Sequence, residues 1–114
     1  MSNSLIEFSD FEKIDIRLGT IIEAKENNKL RNPSIILKID FGDVIGIKKS
    51  SAQIKKNYNS ESLLNKQVLA VINFPPKQIG NILSEVLVLA VPDENNQPVL
   101  ITSDKTLSNG IKLY

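Results

Sequence analysis

A proline turn followed by an apolar strand is the feature that most limits how this chain can fold. Pro75 and Pro76 fix two φ angles and remove two backbone donors, and they bias Phe74 toward an extended conformation. The turn carries one cation, Lys77, and the segment from Glu85 to Val91 is almost entirely apolar. We therefore expect a rigid loop fixed to a sheet, and a late strand with both faces covered, as burial in a subunit interface would achieve.

The residue composition limits the chemistry open to the chain. The 114 residues include no cysteine and no histidine, which excludes disulfides, thiolate nucleophiles, imidazole bases and the usual zinc ligand sets. There is no Gly-x-x-x-x-Gly-Lys loop for phosphate. Two carboxylate clusters, one from Asp10 to Asp15 and one at Asp93 and Glu94, lack calcium-loop spacing, and we interpret them as solvated surface. We expect no catalytic activity, no cofactor and no metal.

The length suits a single domain covering residues 1–114. The longest apolar run, Val86 to Val91, is far shorter than the ~20 residues of a membrane-spanning helix. The first residues lack the basic start and apolar core of a secretory signal. We therefore expect a cytoplasmic protein without a membrane span.

Charge is distributed unevenly, although the formal net charge is only +1. Residues 29–77 contain nine Lys or Arg and three Asp or Glu, a net charge of +6, whereas residues 1–28 carry −3 and residues 78–114 carry −2. A basic block attracts polyanions. An ordinary solvated lysine-rich face would have the same composition, so both interpretations stay open at this point.

Alternation of apolar and polar residues predicts about five main strands and two short late ones. In the second strand, Leu37, Ile39 and Phe41 share one face. The expected strands are Ile14–Lys25 with a bend or bulge at Gly19, Ser34–Phe41, Val44–Lys48, Gln67–Ile72, Glu85–Val91, and the short Val99–Thr102 and Ile111–Tyr114.

Capping motifs predict two short helical segments. The Ser-x-x-Glu spacing that begins at Ser9 predicts a turn that seats Phe8 and Phe11 in the core. The Ser-x-x-Gln spacing that begins at Ser50 predicts a short helix that ends at Tyr58.

Two further connections follow from turn residues. Gly42-Asp43 predicts a hairpin turn between the second and third strands, and Ser60 to Asn65 predicts a single turn that closes with Leu63 and Leu64. These elements give an all-β fold: a five-stranded OB-fold Greek-key barrel with a short helix between strands 3 and 4 and short terminal extensions.

Five sequence blocks, in order, resemble the CsaA family of small export-related chaperones, a branch of the tRNA-binding domains appended to some methionyl- and phenylalanyl-tRNA synthetases. The resemblance covers roughly residues 8–114. The blocks are Phe11–Gly19, Ile39–Gly42, Gly46–Ile54, Asn73–Ile79 and Ser84–Leu89.

The resemblance implies an OB-fold homodimer without catalytic activity that binds tRNA or similar structured RNA. It also implies a chaperone role toward unfolded or export-bound polypeptides. Matching positions assign RNA contacts to Arg17, Asn73, Lys77, Ser84 and Glu85.

Lysines near Ser50 suggest further RNA contacts. A capped helix start offers free N–H groups and a favourable dipole to a phosphate. The complete predicted RNA-binding set is Arg17, Lys38, Lys48, Lys49, Ser50, Ser51, Asn73, Lys77, Ser84 and Glu85. An apolar groove near Phe74, Ile79 and Ile82 is the predicted polypeptide site.

Few aromatic side chains are available for base stacking, since aromatics form 5% of the chain. We therefore expect RNA binding dominated by shape and phosphate contacts, with a steep dependence on salt. The alternative is a polypeptide-binding chaperone for which RNA contact is only incidental. A small enzyme is a third class, disfavoured because general acid–base groups are missing.

Overall fold

The computed structural model describes residues 4–28 and 33–114. In chain order the described elements are α1 (Phe8–Glu12), β1 (Ile16–Asn27), β2 (Ser34–Asp40), α2 (Gly42–Ile45), β3 (Ile47–Ala52), α3 (Ser60–Leu63), β4 (Gln67–Val71), β5 (Lys77–Ile79), β6 (Ile82–Ser84), β7 (Leu87–Val88), β8 (Ala90–Pro92) and β9 (Pro98–Leu100). Within these ranges no helix is long and apolar enough to cross a membrane.

Five strands form one antiparallel sheet in the order β3-β2-β1-β4-β7. Two small hairpins, β5–β6 and β8–β9, form separate two-stranded sheets. The five-stranded sheet curls around the core until β3 comes close to β6 and β7. The predicted all-β OB-type barrel is confirmed, and α3 is the short helix between the third and fourth strands.

The core is built on the face of β2 that the alternation predicted. Leu37, Ile39 and Phe41 are at most 1% exposed, and Ile35 joins them on the same face. These side chains pack with residues of β1, β4 and the segment after β3 in one apolar cluster. Burial of this one face fixes the register, because a shift by one residue would turn the same side chains toward solvent.

β1 passes through Gly19 without the predicted bend or bulge at that residue. Gly19 pairs with Val68 of β4, and the irregularity lies three residues later, between Ile21 and Glu23. Gly19 serves packing instead: a Cβ built there would lie 2.6 Å from Ile39 Cγ2 and 2.7 Å from Phe41 Cδ1. Only a residue without a side chain lets β1 lie this close to the side chains of β2.

The predicted helix from Ser50 to Tyr58 is wrong. Ser50, Ser51 and Ala52 continue β3, and all three pair with β2. Only one turn follows, closed by N–H donation from Asn57 and Tyr58 to the carbonyl of Ile54. The Ser-x-x-Gln spacing is a local preference, and the six-residue ladder to β2 overrides it.

The connection from β2 to β3 is longer than the predicted two-residue turn, although the predicted pairing of the two strands is confirmed. Residues Gly42–Ile45 form the short helical turn α2. Asp40 holds its start, since its carboxylate accepts the Gly42 N–H at 2.9 Å. Gly42 and Gly46 both have φ near +85°, a region that favours glycine.

The N-terminal helix forms, but with a different cap and a different environment. Its capping box joins Glu7 and Asp10, not Ser9 and Glu12. Phe8 is 68% exposed and forms an aromatic pair with Phe11, at 5.9 Å between ring centroids. The prediction that Phe8 lies in the core is therefore wrong for the single chain.

The C-terminal segment runs antiparallel to β1. Gly110 donates its N–H to Leu18, Leu18 donates to Ile111, and Leu113 donates to Ile16, at 2.7 to 2.9 Å. Only a single bridge, Arg17 with Lys112, is regular enough to count as β-structure, so the predicted last strand is present as a hydrogen-bonded strap.

Candidate functional site

An apolar groove of about 670 Å³ opens where the barrel is least closed, between β3 and the late strands. Its wall on one side is the end of β3 and the residues after it. Its other walls are the proline turn, the segment from Ser84 to Ala90, and β9. The lining residues are Ser50, Ser51, Ala52, Gln53, Ile54, Phe74, Pro75, Lys77, Ile79, Ser84, Glu85, Val86, Leu87, Val88, Ala90, Pro98 and Leu100.

Two side chains close one end of this groove. Glu85 accepts the Lys49 N–H through Oε1 at 3.0 Å and donates its own N–H to the Lys49 carbonyl at 2.8 Å. Ser84 Oγ accepts the Ser51 N–H at 3.1 Å, and Ser51 Oγ lies 3.0 Å from Ser34 Oγ. The backbone edge of β3 is thus satisfied at this end by two side chains and by the Glu85 N–H, and the barrel closes without a regular ladder.

The proline turn places one cation and one aromatic ring on the groove. Lys77 begins β5 and pairs across the hairpin with Ser84, while Phe74, 53% exposed, precedes the prolines. Ile79 lines the groove too, but its hairpin partner Ile82 is not among the lining residues. Of the three predicted polypeptide contacts, the structure brings Phe74 and Ile79 together.

A second feature lies on the outer face of β1, β2 and β3. Glu23, Lys38 and Lys49 occupy directly opposite positions on the three strands. Glu23 forms ion pairs with Lys38 at 3.4 Å and with Lys25 at 4.0 Å. Lys49 has no carboxylate within 4.0 Å in the part of the chain that the structure describes. We call Lys25, Lys38 and Lys49 the cationic row; its three positive charges face one carboxylate.

The predicted neighbours Lys48 and Lys49 lie on opposite faces of β3, as successive residues of a strand must. Lys48 pairs with the buried Ile39, whereas Lys49 pairs with Lys38. Ser50 is 2% exposed inside β3. The premise that a helix begins at Ser50 and presents its N–H groups to a phosphate is therefore wrong.

Arg17 and Asn73 lie apart from the groove lining and hold the N-terminal segment. Arg17 Nε lies 2.6 Å from Asp15 Oδ1, and its Nη1 donates to the Gly110 carbonyl at 3.0 Å. Asn73 Oδ1 accepts the Asp15 N–H at 3.0 Å, and its Nδ2 donates to the Lys13 carbonyl at 2.7 Å. Both side chains have structural partners, and their predicted RNA contacts stay predictions.

Ten groove residues were not predicted from the sequence as site residues: Ala52, Gln53, Ile54, Pro75, Val86, Leu87, Val88, Ala90, Pro98 and Leu100. Four of them, Val86, Leu87, Val88 and Ala90, belong to the apolar run that ends at Val91, for which we expected a subunit interface. In the single chain that run is not covered on both faces, since Leu87 is 51% and Val91 50% exposed. Part of it lines the groove. An apolar strand without a polar, solvent-facing side is therefore compatible with a groove as well as with a subunit interface.

The carboxylate at Asp93 has a structural environment. It accepts N–H groups from Asn95 and Gln97 at 2.8 and 2.9 Å and the Asn57 amide at 3.0 Å. These bonds, led by that from Gln97, lower the pKa of Asp93 below its ordinary value of 3.8. Asp93 thereby organises the turn between β8 and β9, beside the groove.

The family model of the tRNA binding domain matches residues 16–112. The chain belongs to the tRNA binding domain family. Two solved structures of chaperone CsaA, from Bacillus anthracis and Picrophilus torridus, are similar to it, each with a TM-score of 0.89 and with 46% and 47% identity. They match 97% and 96% of this chain and 100% of their own chains. The predicted resemblance is confirmed: this is a CsaA-type member of the tRNA binding domain family.

A curated relative places the same domain in a larger protein. The methionine–tRNA ligase of Pyrococcus abyssi is 35% identical over 108 residues, which are 95% of this chain. The chain spans only 14% of the length of that ligase. The relationship to this ligase therefore extends to one tRNA binding domain.

Proposed function

We propose that the protein is a non-catalytic, cytoplasmic, CsaA-like binding protein that binds tRNA or similar structured RNA and holds unfolded or export-bound polypeptides. The observation that carries the proposal is the adjacency of two unlike surfaces on β3. Its outer face carries Lys49 of the cationic row, and its free edge borders the apolar groove. Family membership over residues 16–112 supports the RNA component.

The cationic row is the part of the surface that suits a polyanion. Like charges directly opposite in a sheet are destabilising, yet Lys38 and Lys49 occupy such positions. One carboxylate, Glu23, offsets only part of that charge. A phosphate bound between the lysines would remove the repulsion and release counterions, so binding should weaken steeply with salt.

The RNA component is tested by titrating the protein with tRNA at two salt concentrations. Lys49→Ala should weaken binding and reduce the slope of log K against log salt concentration by about one. Lys66→Ala is the matched control, since Lys66 is an exposed lysine between α3 and β4, outside the cationic row. Equal slopes for both variants would contradict the assignment, and native affinity that does not change with salt would contradict phosphate-dominated binding.

The groove is the part of the surface that suits a polypeptide. Its floor includes Ile54 and Val86, both at most 5% exposed, with Phe74 at its margin. Such concave apolar surfaces with a few polar groups are the usual form of binding sites. Suppression of the aggregation of an unfolded client should weaken in Phe74→Ala and persist in Leu64→Ala, because Leu64 is comparably exposed, at 46%, outside the groove.

The size of the groove favours one alternative, a polypeptide-binding chaperone whose RNA contact is incidental. Under that alternative tRNA binding is weak in the native protein and Lys49→Ala leaves it unchanged, while Phe74→Ala still impairs client binding. Under the main proposal the two variants separate the two activities, each impairing one.

We also propose that the protein is a homodimer built through its late strands. Val91 and Val99 pair across the β8–β9 hairpin and are 50% and 37% exposed. Burial of the exposed part of such side chains contributes ~0.5–1.5 kcal/mol each, since full burial of an exposed one contributes ~1.5–3 kcal/mol. Val91→Lys should shift the protein toward monomer in sedimentation experiments at micromolar concentration, whereas Val44→Lys should not, because the fully exposed Val44 lies in α2. A native monomer at that concentration would overturn the proposal.

A further inference from the structure

The groove has a free backbone edge in addition to its apolar floor. β3 and β7 are the two edge strands of the five-stranded sheet. The N–H groups of Lys49 and Ser51 point away from β2, since Glu85 and Ser84 accept them. Carbonyl and N–H groups of one strand residue point to the same side in an antiparallel ladder. The Ser51 carbonyl therefore points away from β2. The Gln53 N–H does so too, because it lies trans to the Ala52 carbonyl, which points toward β2, and both residues line the groove.

These two groups have no hydrogen-bond partner within residues 4–28 and 33–114. The closure by Glu85 and Ser84 ends at Ser51, and the residues after it continue along the groove. One end of the barrel seam is thus closed by side chains, whereas the other end keeps a backbone acceptor and a backbone donor beside apolar side chains. An unpaired strand edge of this kind is a template for another strand.

The positive charge of Lys77 at the margin of the groove adds a second requirement for the bound molecule. Lys77 lines the groove and has no carboxylate within 4.0 Å among the described residues. Glu85, the lining carboxylate, already accepts the Lys49 N–H. A guest that carries an acidic side chain or a terminal carboxylate would complement the Lys77 ammonium group.

We infer that the groove binds an extended polypeptide segment by strand addition to β3. The guest backbone bonds to the Ser51 carbonyl and the Gln53 N–H. Alternate guest side chains, which in a strand point to one face, pack on the apolar floor, and an acidic group of the guest faces Lys77. This inference rests on the proposed polypeptide binding and specifies its mode: the guest is recognised chiefly through its backbone and its alternation, so many sequences qualify.

The first test uses a synthetic ten-residue peptide in which valine and serine alternate and which ends in aspartate, labelled for fluorescence anisotropy. Two further versions carry N-methyl groups on the odd or on the even backbone amides, with all side chains unchanged. Strand addition uses alternate amides of the guest, so one version should lose at least about tenfold in affinity and the other should stay within about threefold.

The second test changes the protein. Gln53→Pro removes the N–H that faces the groove, at an exposed position just after β3 where the ladder to β2 has ended. Gln53→Ala keeps that N–H and is the matched control. Affinity for the unmodified peptide should fall about five- to tenfold in Gln53→Pro and remain native in Gln53→Ala. If Gln53→Pro does not fold, the N-methylated peptides with the native protein still decide the question.

The outcomes separate the mode from the function. If the native protein binds the peptide, Phe74→Ala weakens it, and both N-methylated versions bind alike, strand addition is wrong while polypeptide binding in the groove stands. If the native protein does not bind the unmodified peptide at all, both are wrong. If the peptide binds and simultaneously dissociates dimers in sedimentation, the edge belongs to a segment of the second copy, and the assignment to a foreign polypeptide is overturned.

Discussion

Replacement of Gly19 by alanine tests whether the close approach of β1 to β2 holds the barrel in its present shape. The new Cβ would lie 2.6 Å from Ile39 Cγ2, and 2.7 and 2.8 Å from two ring atoms of Phe41. Favourable carbon–carbon contacts are ~3.5–4.0 Å, so each neighbour would have to move by close to 1 Å. Both neighbours are at most 1% exposed and lie inside the core cluster, which leaves them little room.

The size of the effect follows from two opposing terms. An added methyl group in a well-packed core costs ~1–3 kcal/mol. Loss of the glycine's freedom in the unfolded chain returns ~0.4–1 kcal/mol, so we expect a net loss of ~1–2 kcal/mol. With an unfolding entropy of ~2.1 cal/mol/K per residue over 114 residues, the melting temperature should fall by ~4–8 °C.

The assay is thermal and urea unfolding of the native protein, Gly19→Ala, Phe41→Leu and the double variant. Phe41→Leu removes the ring atoms that the Cβ would meet, so the two substitutions should couple by ~1 kcal/mol in the double-mutant cycle. A Gly19→Ala variant as stable as the native protein would refute the reasoning. Strictly additive effects would show that the loss does not arise from contact with the Phe41 ring.

Two further predictions concern polar contacts. Asn73→Ala should cost ~1–2 kcal/mol and speed amide hydrogen exchange in residues 8–15, because both bonds from Asn73 to that segment are lost; unchanged exchange there would contradict its structural role. Asp93 should titrate below 3.8 in NMR experiments, since the Gln97 N–H and the Asn57 amide stabilise its carboxylate. Because the native pKa is lowered, this carboxylate stabilises the fold above its ordinary pKa, and the stabilisation is lost as the pH falls through the native pKa. Asn57→Ala should raise the pKa of Asp93 and make the stability of the fold depend less on pH in the acid range. An unchanged pKa would contradict the assignment.

The sequence predicted best those strands that bury one face in the core, such as β2. Leu37, Ile39 and Phe41 alternate with polar residues, and burial converts that alternation directly into a strand with one core face. The Gly19 packing contact was not predictable, because it depends on the distance between β1 and β2 and not on any pattern within β1.

Two of the wrong predictions came from capping motifs: the helix at Ser50 and the cap at Ser9. Ser50 has the spacing of a helix cap, but as a residue of β3 it pairs with Leu37 and is buried. A cap contributes ~0.5–2 kcal/mol, less than a complete ladder with its buried face. The predicted capping box of Ser9 and Glu12 does not form, because Glu7 and Asp10 form a capping box two residues earlier.

The predicted site residues divide according to side-chain direction, which the sequence does not show until strand boundaries are known. Lys49 and Lys48 were predicted as one group and lie on opposite faces, because they are successive residues of one strand. Lys77 and Phe74 were predicted for different ligands, RNA and polypeptide, yet line the same groove. Seven of the thirteen predicted residues line the groove, whereas Arg17 and Asn73 lie apart from it and the pleat of β3 separates Lys48 from Lys49.

The structural role of Ser84 and Glu85 changes how a loss of RNA binding on their substitution should be interpreted. Both residues occupy positions that the family resemblance connects with RNA, and both close the barrel seam by bonding to the backbone of β3. Substitution at either one would expose unpaired N–H groups of β3 and widen the groove, so loss of RNA binding there would not identify an RNA contact. Lys49 and Lys77 have side chains without carboxylate partners among the described residues. Loss of binding on their substitution therefore reports on the ligand, whereas loss at Ser84 or Glu85 also reports on the closure of the barrel at one end of the groove.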